Sequence, residues 1–488
     1  MINLSHLKGK KLGVLGLGKS GLSTAKALKK SGIDFIAWDD REEGRKALKD
    51  SVKVEAVQFT QDNVKELDRL ILSPGIAHTY PEPNAAVALC KEHDVEIVSD
   101  ITLFLEAYPE NPVYAITGTN GKSTTTALLG DIFKGAGDVL VGGNIGEPVL
   151  GLTPPKSKDV PFVLELSSYQ LEITPNLRPN VSVLLNITSD HLDRHGGMDG
   201  YIAAKKMIFQ KSDGQTFEPL AVIGVDQDCT EKMEKHLRED EGWNTLPVSV
   251  ENKLDRGFYL NKDVLIEAVQ DEDSLDEIQE HERLDVSRFK RLKGRHNAQN
   301  IAACYVAARY AGLSDDLISE RIADFPGLPH RQYLLRTING VSYINDSKAT
   351  NAEATSHALS AYNHIFWILG GQAKESGLDG LAPFMDRIRH AFLIGQAEER
   401  FSEWLEQYDI PFTKCHTIQN AVPLAHSMAQ EERGLPGGGT VVLLSPACAS
   451  WDQFRSFEHR GDVFTQLVEG LDEDQEDIKL HPRNEDEG

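Results

Sequence analysis

The residues with the plainest chemistry lie in Ile116-Thr-Gly-Thr-Asn-Gly-Lys-Ser-Thr124. Glycines let backbone N–H groups approach phosphate oxygens, and a following helix adds its positive end. Gly118, Thr119, Asn120, Gly121, Lys122, Ser123 and Thr124 are therefore candidates for cradling ATP. Lys122 would reach the β- and γ-phosphates, and Ser123 or Thr124 would ligate Mg²⁺. The spacing departs from the strict phosphate-loop pattern, because Ile116 stands where its first glycine belongs. A bare glycine turn with a surface lysine is the blander reading. The apolar run before the loop and the Lys-Ser-Thr tail argue against it.

A second glycine turn, Gly16-Leu-Gly-Lys-Ser-Gly21, has Asp39 and Asp40 about twenty residues on. Alone it predicts a dinucleotide fold that binds NAD, or a turn that merely packs a helix on its sheet. A third set is polar and sits at strand ends. Glu165 closes Phe162-Val-Leu-Glu165, and Asn186 to Arg194 contains Asp190, His191 and Asp193. A carboxylate and a histidine there could hold Mg²⁺ beside a triphosphate. Taken one at a time, each reads more simply as a helix cap or a surface pair. Tyr201 to Lys206 by itself reads as a solvated helix face.

These groups need strands to carry them. Short apolar runs at Lys10 to Gly16, Ile33 to Asp40 and Leu67 to Ile76 alternate with helical spacing such as Leu22 to Lys30. Val113 to Thr117, Pro161 to Ser167, Val181 to Thr188 and Leu220 to Asp226 continue the pattern, and a helix is expected over Thr125 to Lys134. Near-continuous apolar strands alternating with helices imply parallel sheets covered on both faces. Val269 to Arg283 is acidic and reads as an exposed loop, and His296 to Tyr310 as a helix. Strands are expected at Val341 to Ser347, His364 to Gly371, His390 to Gly395 and Thr440 to Ala447. Proline-marked joints at Tyr108 to Pro112 and Phe325 to Pro329 divide the chain. The expected fold class is α/β with three domains: a Rossmann-like domain over 1–108, a central phosphate-loop ATPase-like domain with a mostly parallel sheet over 109–327, and a Rossmann-like domain over 328–470. Residues 471–488 carry a local net charge of −6 and read as a disordered tail.

The 488 residues carry a net charge of −24, which argues against nucleic acid or an anionic membrane as partner. Five scattered cysteines form no C-x-x-C pair and suit reduced thiols in a cytoplasm. No apolar run approaches the length of a membrane span, and the N-terminus lacks the pattern of a secretory signal.

Ten motifs then occur in order: GTNGKST, GGNIGEP from Gly142, ELSSYQLE, DHLDRHG, YIAAKK, GRHNAQN from Gly294, GLPHR from Gly327, NDSKATN from Asn345, LGGQAK from Leu369 and SPACASWDQFRSFEHRG from Ser445. In this combination the chain closely resembles the Mur ligases, in their D-glutamate-adding branch, over about residues 10 to 468. The Asp-Asn-Pro-Arg motif of the diaminopimelate-adding relatives is absent.

The resemblance implies a cytoplasmic, monomeric, ATP-dependent ligase of peptidoglycan synthesis. It would join D-glutamate to UDP-N-acetylmuramoyl-L-alanine through an acyl phosphate. A Mur-type or folylpolyglutamate-type ligase using another amino acid is the neighbouring reading. By the resemblance, the first glycine turn holds uridine diphosphate rather than NAD, with Lys19, Ser20, Asp40, Arg41, Ser73, Pro74 and Gly75 close by and Asn144 touching the substrate. Asn297 and Asn300 would meet adenine and ribose, and Arg331 and Asp346 would close over ATP. Two Mg²⁺ ions are implied, one served by Ser123 and Glu165, the other by His191 and Lys205. An ammonium cannot bind Mg²⁺, so Lys205 would carry a CO₂-derived carbamate, while the adjacent Lys206 has no match. Lys122, Glu165, His191, Lys205 and Lys348 form the implied catalytic set. Lys348, Thr350 and Lys374 would take the D-glutamate carboxylates and the reacting phosphate, with Ser450 and Phe457 lining the pocket.

Overall fold

The computed structural model describes residues 1–211, 217–270, 278–289, 291–373, 377–433 and 439–471. The chain forms two compact units: Met1–Phe289 with Arg295–Phe325, and Lys290–Gly294 with Pro326–Gly488.

The first unit carries two sheets. Strands β1 (Leu12–Leu15), β2 (Phe35–Trp38), β3 (Arg69–Leu72) and β4 (Glu96–Val98) pair in parallel in the order β2-β1-β3-β4. The larger sheet comprises β5 (Val113–Thr117), β6 (Leu140–Gly143), β7 (Phe162–Glu165), β8 (Val181–Leu184), β9 (Leu220–Gly224), β10 (Asn244–Ser249), β11 (Gly257–Asn261), β12 (Val264–Gln270) and β13 (Ile278–Asp285). Its order is β13-β12-β11-β10-β9-β8-β5-β7-β6, and only the two pairings at the β11–β13 edge are antiparallel. Every residue of β5, β7, β8 and β9 is buried, as strands covered by helices on both faces require. One apolar core joins the two sheets. Phe104, from the helix after β4, lies 4.7 Å from the ring of Phe162 on β7.

The expected loop over 269–283 is a correction. Strand β12 runs to Gln270 and β13 begins at Ile278, with 271–277 outside the described residues. β13 is an edge strand with a mostly exposed face, so its charges sit in cross-strand pairs (Arg283–Glu267 at 2.5 Å) and its sequence lacks apolar alternation. Strands β4, β6, β10 and β11, and in the second unit Tyr333–Ile338 and Phe412–His416, also escape the periodicity, being short or partly exposed. The expected tail beyond Leu471 lies outside the described residues.

The second unit holds β14 (Tyr333–Ile338), β15 (Val341–Asn345), β16 (Ile365–Gly370), β17 (Ile388–Ile394), β18 (Phe412–His416) and β19 (Val441–Leu444). Their order is β14-β15-β19-β16-β17-β18, parallel except for β14–β15. No helix among the described residues is long and apolar enough to cross a membrane.

Candidate active site

Strands β8, β5, β7 and β6 lie side by side, so their carboxyl ends open onto one edge of the sheet. Ligands gather at such edges in parallel sheets. The β5 end releases the loop Gly118 to Gly121, which enters the helix Lys122–Ala136. Gly121 holds φ +84°, and a Cβ there would stand 2.3 Å from Asn300 Oδ1, so only glycine fits. The loop is braced from β8: Asn120 N–H donates to Asn186 Oδ1 at 2.8 Å, and Thr119 Oγ1 donates to Thr188 O at 3.1 Å. Lys122 Nζ folds back onto the loop, donating to Gly118 O at 2.8 Å and Thr119 O at 2.7 Å.

Lys205 reaches the same loop from the helix Met198–Lys206. It is 1% exposed, and its Nζ donates to Gly118 O at 2.8 Å and lies over the Tyr201 ring. Burial, reinforced by the Lys122 ammonium and opposed by Asp190, pulls its pKa well below a lysine's usual value. Its neighbour Lys206 points outward to Glu241 at 2.7 Å. Glu165 closes β7 opposite Ile116 of β5 and is 1% exposed. Its Oε1 accepts from Asn144 Nδ2 at 2.9 Å, while its Oε2 is buried with no hydrogen-bond partner among the described residues. A buried carboxylate oxygen left without a donor is the chemistry a hard cation satisfies, so Glu165 fits a Mg²⁺ ligand. His191 is exposed, sits at φ +53° before the short helix Leu192–His195, and lies 3.4 Å from Asp190. Partial desolvation of its ring, helped by the Lys122 charge, outweighs the Asp190 charge and lowers its pKa. Among the described residues no three His, Cys, Asp or Glu side chains cluster as a ready-made metal cage.

The first glycine turn, at the end of β1, is built differently. Asp39, 2% exposed, accepts from Leu17 N–H at 2.5 Å and from Arg41 N–H at 2.9 Å. Burial favours its neutral form, yet these donors and the Arg41 guanidinium outweigh it and hold the pKa below the ordinary value. Ser73 Oγ donates to Gly16 O at 2.7 Å, which ties the β3 loop to the turn. Asp40 is exposed and accepts from Asn84 Nδ2 and Trp38 Nε1, both at 3.0 Å. Lys19 and Ser20 begin the helix Lys19–Lys30.

In the second unit the loops after β15 and β19 meet. Asp346 follows β15 and accepts from Ser445 Oγ at 2.7 Å and Gln332 N–H at 3.1 Å. Burial pushes its pKa up to about 7 against these donors. Lys348 Nζ lies 3.9 Å above the Phe457 ring, and Thr350 is half-buried in the same loop. Ser450 is buried, with its carbonyl accepting from Phe454 N–H at 2.8 Å. Arg460 is fully buried and binds Ser347 O at 2.8 Å and Cys448 O at 3.1 Å, stitching the two loops together. Lys374 lies outside the described residues.

Family models match two stretches: a Mur ligase MurD-like N-terminal domain over residues 10–99, and a Mur ligase middle domain over residues 116–308. The UDP-N-acetylmuramoylalanine–D-glutamate ligase of Paramagnetospirillum magneticum is 44% identical, covering 97% of this chain and 99% of its own. That of Rhodospirillum rubrum is 44% identical, covering 96% and 97%. The chain belongs to the Mur ligase family. The fold agrees. A UDP-N-acetylmuramate–alanine ligase from Thermotoga maritima superposes with a TM-score of 0.54 at 16% identity, covering 94% of this chain and 99% of that one.

Within this Mur ligase, several residues of the site went unassigned in the sequence. Asn186, Thr188 and Gln299 form the bracket under the phosphate loop, with Asn186 Nδ2 donating to Gln299 Oε1 at 3.0 Å. Tyr201 shares a hydrogen bond with Thr119 Oγ1 at 3.1 Å. Asn186 opens and Thr188 lies within the segment Asn186 to Arg194, Gln299 lies in GRHNAQN and Tyr201 opens YIAAKK, so a polar residue after a strand or at a helix start was the available signal. Asn297 and Asn300 are buried; Asn300 takes the Thr125 hydroxyl at 3.1 Å and donates to Asn297, which locks the helix Arg295–Tyr310 behind the loop.

Proposed function

We propose that this chain ligates D-glutamate to UDP-N-acetylmuramoyl-L-alanine at the expense of ATP, as a step of peptidoglycan synthesis. The observation that carries the reading is 44% identity, along nearly the whole length of both chains, with ligases of that name. The substrate's L-alanyl carboxylate attacks the γ-phosphate of ATP and becomes an acyl phosphate, releasing ADP. The D-glutamate amine then attacks the acyl carbon, and inorganic phosphate leaves. Oxide is too poor a leaving group for the carboxylate to react directly, which is why the phosphoryl group is spent.

The protein's part is positioning and charge. The amides of Gly118 to Lys122 and the N-terminus of the helix Lys122–Ala136 would hold the phosphates. Lys122, now resting on two loop carbonyls, would turn onto the β- and γ-phosphates. Bound Mg²⁺ supplies charge neutralisation to crowded phosphate oxygens. Ser123 with Glu165 would hold one ion, in keeping with the unpartnered Glu165 Oε2, and His191 with a carbamylated Lys205 the other. CO₂ adds only to a neutral amine, the form that burial favours at Lys205. Asp40, Arg41 and Ser73 to Gly75 would take the uridine diphosphate end, and Asn144 the muramoyl side. Asn297, Asn300, Arg331 and Asp346 would serve ATP. Lys348, Thr350, Lys374, Ser450 and Phe457 would take D-glutamate. We place the enzyme in the cytoplasm, as a monomer.

The test is phosphate release with ATP, Mg²⁺ and the UDP-muramoyl-alanine substrate across an amino-acid panel. D-glutamate should support turnover, while L-glutamate, D-alanine and L-alanine should not. A site built for two carboxylates leaves cations unpaired when an apolar amino acid enters. Efficient turnover with L-alanine or L-lysine would move the chain to another branch.

A further inference from the structure

Arg194, at the end of the segment Asn186 to Arg194, has been given no role so far, yet it joins two parts of the site. Its amide donates to His191 O at 3.0 Å, so it moves with the loop that follows β8. Its guanidinium reaches across to the loop after β3, donating from Nη1 to Gly75 O at 3.2 Å and from Nη2 to Ile76 O at 3.1 Å. That loop carries Ser73, whose hydroxyl holds Gly16 of the first glycine turn. The guanidinium lies over the Tyr169 ring, 4.8 Å from its centroid, which fixes its plane. Among the described residues it forms no ion pair, and its Nε is buried with no acceptor. A second contact runs beside it. Gly196, at φ +69°, packs on Tyr80, and a Cβ there would stand 2.7 Å from the ring.

An arginine kept only for packing or solubility would not spend its planar fork on two consecutive carbonyls of a distant loop. We infer that Arg194 is a positioning residue: it sets the reach between the uridine-nucleotide turn and the phosphate side of the site. The inference rests on the proposed function. A substrate held at its nucleotide end must present its carboxylate to ATP in a fixed geometry, and a displacement of about 1 Å at this bridge is enough to cost about 10²-fold in rate. Among the described residues, none of the groups proposed to hold the ATP phosphates, adenine or ribose bonds to the Arg194 guanidinium, so ATP affinity does not depend on the bridge.

The experiment is steady-state kinetics and UDP titration calorimetry on the full chain and on Arg194→Ala, Arg194→Lys and Gly196→Ala. Arg194→Ala should raise the KM for the UDP-linked substrate and the Kd for UDP by at least about tenfold, and lower kcat, with the KM for ATP within about twofold. Millimolar guanidinium ion should restore part of the loss, because it can refill the fork. Arg194→Lys should recover little, since one ammonium cannot address both carbonyls in plane. Gly196→Ala should shift the same constants in the same direction. An unchanged UDP affinity in Arg194→Ala would overturn the inference, and so would equal losses for ATP and UDP-substrate without guanidinium rescue. If the unaltered protein makes no product with D-glutamate while Arg194→Ala still loses UDP, the proposed reaction fails and the positioning role stands.

Discussion

Two turns in this protein share one local grammar, a buried strand, a glycine loop and a helix, and carry opposite charge. The turn after β1 has a carboxylate folded into it: Asp39 takes the Leu17 amide, and Ser73 closes on Gly16. The turn after β5 draws in cations. Two lysines converge there instead, Lys122 on Gly118 O and Thr119 O, and Lys205 on Gly118 O. Glycines permit close approach of a backbone to a phosphate in both places. What comes from outside the loop decides the charge each can hold. An internal carboxylate pre-empts an amide and suits the role proposed for this turn, gripping a nucleotide without drawing in a triphosphate. Converging ammonium groups suit the most highly charged ligand in the reaction.

The contrast can be broken most sharply at Lys205. Lys205→Ala should lose activity by about 10³-fold, at the upper end for removal of one electrostatic group, with added acetate restoring a part. Lys206→Ala, one residue on and paired at the surface with Glu241, should stay within about twofold of the unaltered enzyme. Phosphate-release rates for the pair decide it, and full activity of Lys205→Ala in CO₂-depleted buffer ends the carbamate role.

Next come the lysines of the two turns. Lys122→Ala should lower kcat by at least about 10²-fold with an intact melting profile, as its proposed role on the transferred phosphoryl group requires. Lys19→Ala, at the matching helix start of the first turn, should leave kcat near normal and raise only the KM for the UDP-linked substrate. Equal effects of the two substitutions on kcat would erase the distinction drawn between the turns.

The smallest effect belongs to Asp39. Its pKa is held below 3.8 in the fold, so it contributes stability above that value and loses it as the pH falls through the lower folded value. Asp39→Asn should therefore cost about 1–3 kcal/mol at neutral pH, the worth of hydrogen bonds to a charged group. The gap in Tm between the variant and the unaltered protein should close on acidification below about pH 3.8. A gap that stays constant down to pH 2 would mean the carboxylate charge is not what closes the turn.

How far each feature could be read in advance follows from what encodes it. Buried strands announce themselves: β5, β7, β8 and β9 are buried at every residue and mostly apolar, and their ends place Thr117, Glu165 and the segment after Leu184 together. Edge strands do not. β13 is charged along its exposed face and read as a loop, because its partner across the sheet, rather than its own sequence, satisfies it.

The sequence alone determined the glycine turns, the strand-end acids and the ordered motifs that lead to the Mur ligases. Those signals are local: each is a residue type at a fixed spacing, imposed by backbone geometry near a phosphate or by alternation of buried strand and helix. Only the tertiary structure decided which of two adjacent lysines is buried over Gly118, which of two adjacent aspartates closes the first turn, and that Arg194 spans to Gly75 and Ile76. Neighbouring side chains of one type are equivalent as sequence. They become different when packing sends one into a low-dielectric interior, where an unpaired charge shifts its pKa and a paired one fixes a loop, and leaves the other in water.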